Sequence, residues 1–349
     1  MKLNVIKDTE PLQLDYRPEV VVNRKKEYRL LNSFVEMVSA GESQNLLLHG
    51  SRGTGKTLLL RKTVSQLESV NLVWVSCRVH DTQYKVLKQI SEAVTGKNTK
   101  TGLHTSEYQR TIQERTTQVQ TLVVLDEIEF LLLNNGNDLL YYLSRTNPDK
   151  LSVALTYSSS QEFSELVEER TYSTLYPETL ELEPYSTEEV YQILAERARL
   201  SLKPRSLQHE ALSYISETIR NPAIGLYWLK ITAEHVEDAI HAEDVKACYE
   251  SGLQSYVYEQ LEHFSEHHKL LYQAIEELSK EETTTSSGKV YKQYQQLCKA
   301  QSKKPLSDRR ISDHLKQLEK LDLIQAKYHY GGRKGKSREI RLSNRSVPL

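Results

Sequence analysis

The stretch 49-HGSRGTGKTLLL-60 places three glycines, a lysine and two threonines between two apolar runs, Leu46–Leu48 and Leu58–Leu60. The short apolar run before it reads as a buried strand, and the amphipathic run after it reads as a helix. Gly50, Gly55, Lys56 and Thr57 fit the spacing G-x-x-x-x-G-K-[ST]. Glycines at those positions let backbone N–H groups wrap phosphate oxygens, while a lysine supplies a cation to the outer phosphates. The threonine offers a hydroxyl to Mg²⁺, and the helix N-terminus adds partial positive charge. The whole loop, Gly50, Ser51, Arg52, Gly53, Thr54, Gly55, Lys56, Thr57 and Leu58, is therefore the candidate binding segment for ATP or ADP.

A phosphate loop needs an acidic partner. "TLVVLDEIEF" (121–130) supplies one about seventy residues on: an apolar strand ending in Asp126 and Glu127. Asp126 is placed to hold Mg²⁺ together with Thr57, and Glu127 to orient an attacking water. "NLLLHG", "NLVWVSC", "TLVVLDE" and "LSVALTYS" alternate with amphipathic stretches from Asn45 to about Glu183. That pattern is α/β, with strands buried on both faces of a parallel sheet. From Ser186 the strands stop. "STEEVYQILAERARL" opens with a capping box, Ser186 and Glu189, and continues with helical spacing at Val190, Ile193 and Leu194. A helical second domain follows.

With 349 residues, 38% of them hydrophobic, the chain exceeds one ordinary core. The expected boundaries are 1–185, 186–262 and 263–349. The N-terminal stretch carries charge and proline where a secretion signal needs an apolar core, and no run approaches a membrane span, so a cytoplasmic location away from membranes is expected. Three dispersed cysteines, Cys77, Cys248 and Cys298, suggest neither a disulfide framework nor a zinc site.

A net charge of −1 conceals an asymmetry. Residues 289–345 hold sixteen Lys/Arg against five Asp/Glu, which makes that segment +11 and the remainder −12. Such a split assigns an anionic partner to one domain. Within it, "PLSDRRISDHLKQLEKLDLI" reads as a helix with Ser307 as cap and Ile311, Leu315 and Leu318 as the buried stripe. Arg309, Arg310, Asp313, Lys316 and Gln317 then face outward. Two short strands around a turn at Gly331–Gly335 follow, carrying Lys327, Arg333, Lys334, Lys336, Arg338 and Arg341. Helix plus basic hairpin is winged-helix architecture, with the helix suited to the major groove of duplex DNA and the wing to phosphates and the minor groove.

Taken together, these stretches resemble the archaeal Orc1/Cdc6 replication initiators, nearly end to end. "DYRPEVVVNRKKEYRLL" is similar to that family's N-terminal arm, which implies that Val21 and Val22 flank the adenine and that Arg24 belongs to the nucleotide site. "ERTYSTLYPETLELEPYSTEEVYQILAERA" is similar to its passage from the arginine-finger region into the lid and puts Arg170 forward as the finger. The C-terminal helix and hairpin match its winged helix. The resemblance implies an AAA+ base domain, an all-helical lid and a winged helix. It also implies an ATPase and a nucleoid-associated protein that binds duplex DNA at replication origins and works with the replicative helicase and related initiator subunits. An extra helical insertion within 95–115, with Lys97, Lys100, Arg110 and Arg115, corresponds to a segment that touches DNA in that family.

Two positions depart from the family pattern. Where its sensor 1 strand ends in a polar residue, commonly asparagine, "VALTYSSS" offers Ser158 or Ser159. Where its lid supplies an arginine to the outer phosphates, this chain has Ala223, with Arg220 one turn earlier. A weak ATPase, whose bound nucleotide serves as a conformational switch, is the expectation that follows. A nucleotide-switched transcription regulator and an accessory initiator paralogue are built from the same parts and remain open readings.

Overall fold

The computed structural model describes residues 5–19, 21–98, 102–158, 161–329 and 337–343. Arg333, Lys334 and Lys336 of the wing, Ser159 and Lys100 lie outside them. The chain divides into two compact units, Met1–Leu226 with Val236–Ala242, and Tyr227–His235 with Glu243–Leu349.

The first unit begins with a short 3-10 turn at Glu10–Leu12 and helix α1 (Lys25–Ser39). Strands and helices then alternate: β1 (Leu46–His49), α2 (Lys56–Val64), β2 (Asn71–Ser76), α3 (Gln83–Thr95), α4 (Thr105–Arg115), β3 (Thr121–Asp126), α5 (Glu129–Leu132), α6 (Asn137–Arg145) and β4 (Leu151–Tyr157). Two short helices, α7 (Phe163–Leu166) and α8 (Glu169–Leu175), precede β5 (Glu178–Glu181). The five strands form one parallel sheet in the order β2-β3-β4-β1-β5.

Period-two alternation sends successive strand residues to opposite faces, and both faces are covered. Leu47, Val73, Val75, Val123, Leu125, Val153 and Leu155 pack against Val86, Leu87 and Ile90 of α3, Tyr108 and Ile112 of α4, and Leu139, Leu140 and Leu143 of α6. Leu46, Leu48, Leu122, Val124 and Ala154 face the other way, onto Leu31, Phe34, Val35 and Val38 of α1 and Leu59, Leu60 and Val64 of α2. This double cover explains why β3 and β4 read as unbroken apolar runs. The helical insertion expected within 95–115 is α4, where Arg110 pairs with Glu114 at 3.3 Å on the exposed side.

Helices α9 (Thr187–Ser201) and α10 (His209–Thr218) belong to the same unit as the sheet. The capping box at the start of α9 is formed: the Glu189 N–H donates to Ser186 Oγ at 3.2 Å, and the Ser186 N–H donates to Glu189 Oε2 at 2.7 Å. Ser186→Ala should lower stability by about 1 kcal/mol, seen as a lower urea midpoint with an unchanged m-value.

The N-terminal arm lies along α9. The Lys7 and Asp8 N–H groups donate to the Ser201 carbonyl at 2.7 and 3.1 Å, and the Lys203 N–H donates to the Val5 carbonyl at 2.9 Å. Buried Arg197 donates to the carbonyls of Pro11 and Gln13 and lies over the Tyr16 ring. Helix α11 (Pro222–His235), capped by Asn221, runs from the first unit into the second.

The second unit continues with α12 (Ala242–Ala247), α13 (Tyr249–Gln260) and α14 (Glu266–Leu278). Next come β6 (Thr285–Ser286), α15 (Ser287–Ala300), α16 (Asp308–Lys320), β7 (Ile324–His329) and β8 (Ser337–Leu342). Strands β6, β8 and β7 form an antiparallel sheet in that order. Leu270, Leu271 and Ile275 of α14, Val290, Tyr294 and Cys298 of α15, and Ile311, Leu315 and Leu318 of α16 are buried with Ile324 and Ile340. Helix–helix–helix–hairpin is a winged helix.

Candidate functional site

In the first unit, the loop between β1 and α2 leaves the sheet where only glycine can pass. Gly50 has φ +143, and a Cβ there would come within 2.3 Å of the Leu182 carbonyl oxygen. Gly53, at φ +84, would place a Cβ 2.2 Å from Asn221 Oδ1, so the cap of α11 sits directly on the loop. Lys56 turns back to donate to the carbonyls of Gly50 at 2.8 Å and Ser51 at 2.7 Å. Burial pulls its ammonium down to about 8, against the opposing pull of Glu129.

Beneath the loop, the end of β3 is wired to its neighbours. The Thr57 hydroxyl donates to Asp126 Oδ1 at 2.9 Å, and the Thr156 hydroxyl of β4 donates to the same oxygen at 2.5 Å. Thr156 Oγ1 also accepts from the Glu127 N–H at 2.8 Å, which holds Glu127 in a left-handed conformation at φ 58. Burial raises the Asp126 carboxyl above its ordinary value, with the two hydroxyls opposing. For Glu127 burial acts in the same upward sense, but Arg52 and Arg78 outweigh it and the group lies below the ordinary range. Fully buried Glu129 is pushed up to about 7, chiefly by desolvation.

A cavity of about 440 Å³ opens at this end of the sheet. Val21, Val22, Arg52, Gly53, Gly55, Lys56, Thr57, Leu58, Glu127 and Ser158 line it, so residues spread over nearly 140 positions of sequence converge there. Asp126 lies just under the wall, bonded to Thr57. Its lining combines apolar side chains, among them Leu14, Val21, Val22, Ile193, Tyr185 and Leu226, with the glycine loop and Lys56. That mixture suits a ligand that has both an apolar part and an anionic part. The paired oxygens of Thr57 and Asp126 are hard donors of the kind Mg²⁺ takes.

Arg24 does not line the cavity. Its guanidinium donates to the carbonyls of Thr54 and Glu183 and to Glu27, and stacks over Tyr185, so it braces the backbone of the loop. Arg170 of α8 is exposed and donates to Glu168 Oε2 at 2.7 Å and Asp138 Oδ1 at 3.1 Å, over the Tyr141 ring. Ala223 lines the cavity, whereas Arg220 is exposed and does not. Tyr185, Arg197 and the Asn221 cap were not singled out from sequence. They belong to distant elements, and no local motif marks them.

In the second unit, Arg309, Arg310 and Lys316 are exposed on α16. Two readings of this surface need correction. Ser307 stands at the N-cap of α16, but its hydroxyl makes no capping bond. Gln317 does not face out: it accepts from His268 Nε2 at 2.6 Å, and the His268 ring, held by the Ser265 hydroxyl, stacks on His314 at 3.7 Å. Arg338 of β8 donates to Ser312 of α16 at 3.2 Å and lies over the Tyr328 ring. It therefore ties hairpin to helix.

Sheet order, glycine loop, acidic strand end and separate winged helix define the class: an AAA+ P-loop protein with a C-terminal winged helix. Residues 40–166 match the family model described as an AAA domain, and residues 259–346 match the model of the CDC6 C-terminal winged helix domain. ORC1-type DNA replication protein 1 of Sulfolobus acidocaldarius is 28% identical over 98% of this chain and 91% of its own length. ORC1-type DNA replication protein 1 of Archaeoglobus fulgidus is 26% identical over 97% of this chain and 88% of its own. The structure of the Aeropyrum pernix Orc1 protein in complex with DNA superposes with a TM-score of 0.76, at 28% identity, over 97% of this chain and 94% of that one. These matches, which together span nearly the whole chain, support an Orc1/Cdc6-type initiator.

Proposed function

We propose that this chain is a nucleotide-switched initiator. It binds ATP or ADP with Mg²⁺ in the base cavity, binds duplex DNA at replication origins through its winged helix, and helps recruit or load the replicative helicase. The observation that carries the reading is the convergence on one cavity of the glycine loop, Lys56, Thr57, Glu127 and the apolar pair Val21 and Val22. The likeness to an Orc1 protein whose structure was solved on DNA supports the second half.

In this reading Lys56 exchanges its two carbonyl partners for the outer phosphates, and Thr57 with Asp126 holds the metal. The metal supplies charge neutralisation on the phosphates. Glu127 orients water, and Ser158 at the end of β4 stands where a sensor would act. Arg170, exposed and held by the surface carboxylates of Glu168 and Asp138 over the Tyr141 ring, would leave these partners to reach the nucleotide of a neighbouring initiator subunit. Hydrolysis is slow, because the wall of the cavity at α11 presents Ala223 where a cation would stabilise charge at the transferring phosphoryl group. Bound nucleotide then acts as a setting more than as fuel.

The test is capture of sheared genomic DNA of the source organism on the purified protein, at moderate salt, with ATP or ADP, followed by sequencing. One or a few enriched loci with repeated motifs is the expected result. Dispersed promoters would replace the initiator reading with a transcription regulator. Absence of enrichment, with a steep salt dependence, would leave an accessory subunit whose specificity comes from a partner.

A further inference from the structure

Arg52 sits in the phosphate loop, yet its side chain is directed at the acidic strand end. One guanidinium nitrogen donates to Glu127 Oε1 at 2.7 Å and another to Glu129 Oε1 at 3.0 Å. Arg78, just past β2, comes within 4.0 Å of the same Glu127 oxygen, and the Arg52 guanidinium lies 5.7 Å from the Phe130 ring centre. The group is largely withdrawn from water: the side chains of Arg52, Glu127 and Glu129 are 12%, 17% and 0% exposed. A fork shared between two carboxylates in such surroundings is weakly screened and fixes direction as well as distance.

Glu127 has little freedom to escape it. Its backbone is held in the left-handed region by the bond to Thr156, so the starting direction of its side chain is set by β3 and β4. A carboxylate that orients water must offer an oxygen within about 2.6–3.2 Å of that water, and Oε1 of Glu127 is already engaged by Arg52. Glu129 anchors the other arm of the fork, and its Oε2 accepts from the Ser158 N–H at 3.3 Å. The clamp thereby reaches from the phosphate loop to the end of β4.

We infer that Arg52 is a positioning residue that restrains Glu127, so that turnover requires the phosphate-loop arginine to release the carboxylate. This rests on the proposed reading of Glu127 as the residue that orients the attacking water. It assigns the low rate of hydrolysis to a contact inside the phosphate loop as well as to the alanine at α11. No other chain is needed to impose it.

Single-turnover hydrolysis of ATP by the full chain tests the idea, with nucleotide affinity measured separately by a fluorescent ATP analogue. Arg52→Ala should raise the rate constant about tenfold or more while changing affinity by a smaller factor. Arg52→Lys, which can still pair with Glu127, should return it toward the parent value. Arg52→Ala in a Glu127→Gln background should give no gain, because the released group is gone. Arg52→Gln keeps the bulk of the side chain and serves if the alanine variant is unstable. An unchanged or lower rate in variants that bind nucleotide normally would overturn the clamp alone, as would a gain that persists with Glu127→Gln. Failure of the unaltered protein to bind nucleotide would overturn the proposed function and the clamp with it.

Discussion

Lys56→Ala should weaken ATP binding by roughly 100-fold or more, while the affinity of the protein for DNA in the absence of nucleotide stays close to that of the parent. The lysine makes two short bonds to loop carbonyls at 2.8 and 2.7 Å inside a mostly buried setting. Hydrogen bonds from an ammonium contribute about 1.5–3 kcal/mol each. Exchanging neutral carbonyls for charged phosphate oxygens keeps the number of bonds and adds the attraction of opposite charges, roughly 4 kcal/mol at about 4 Å for an effective dielectric near 20, which is enough for that factor in affinity. Removal also leaves the Gly50 and Ser51 carbonyls without this partner. Titration calorimetry with ATP and with ADP measures the effect, and an affinity within threefold of the parent would show that the cavity does not use this lysine.

Arg309→Ala and Arg310→Ala should each cost about 1–3 kcal/mol against the preferred DNA sequence and much less against an unrelated one. Both side chains are exposed in the first turn of α16, whose opposite face is fixed in the core by Ile311, Leu315 and Leu318. The helix is thus rigidly presented, and its arginines retain freedom to meet base edges. Removing positive charge at Arg333 and Lys334 should instead lower affinity for all sequences alike and flatten its salt dependence. Competition binding at several salt concentrations separates the two behaviours. Sequence preference unaltered by both helix substitutions would move base reading to another element.

The base domain was legible because its chemistry is local. A glycine loop, an apolar strand ending in Asp126 and Glu127, and the capping box at Ser186 each lie within a dozen residues, and each appears where expected. Strand β5 was not legible. Its residues Glu178–Glu181 are mostly exposed at the sheet edge, so they carry no apolar run to announce a strand. Gln317 was misread because helical periodicity puts it beside Lys316 and Asp313 on the polar side. That flank of α16 is covered by α14, and the amide finds His268 there. Arg24 likewise carries a family pattern, but its guanidinium reaches backbone at Thr54 and Glu183, a contact spanning 159 positions that no local spacing encodes. Long-range pairing by arginine is where the sequence stops being informative, and Arg52 with Glu127 is a further instance.

The arm that lies along α9 has a consequence for how the protein comes into being. Arg197 grips the carbonyl of Pro11 across 186 positions of chain, and Leu14 and Ile193, one beside each partner, stand on the wall of the same cavity. During synthesis at about 5–20 residues per second, the glycine loop is complete many seconds before α9 exists. A nascent chain thus displays its phosphate cradle while one wall of the chamber is still unmade, and nucleotide can be enclosed only after that helix has emerged and captured the arm. Loop closure over such a distance is an entropic cost met late. The first enclosed nucleotide therefore marks the point at which the young chain has finished assembling this half of itself.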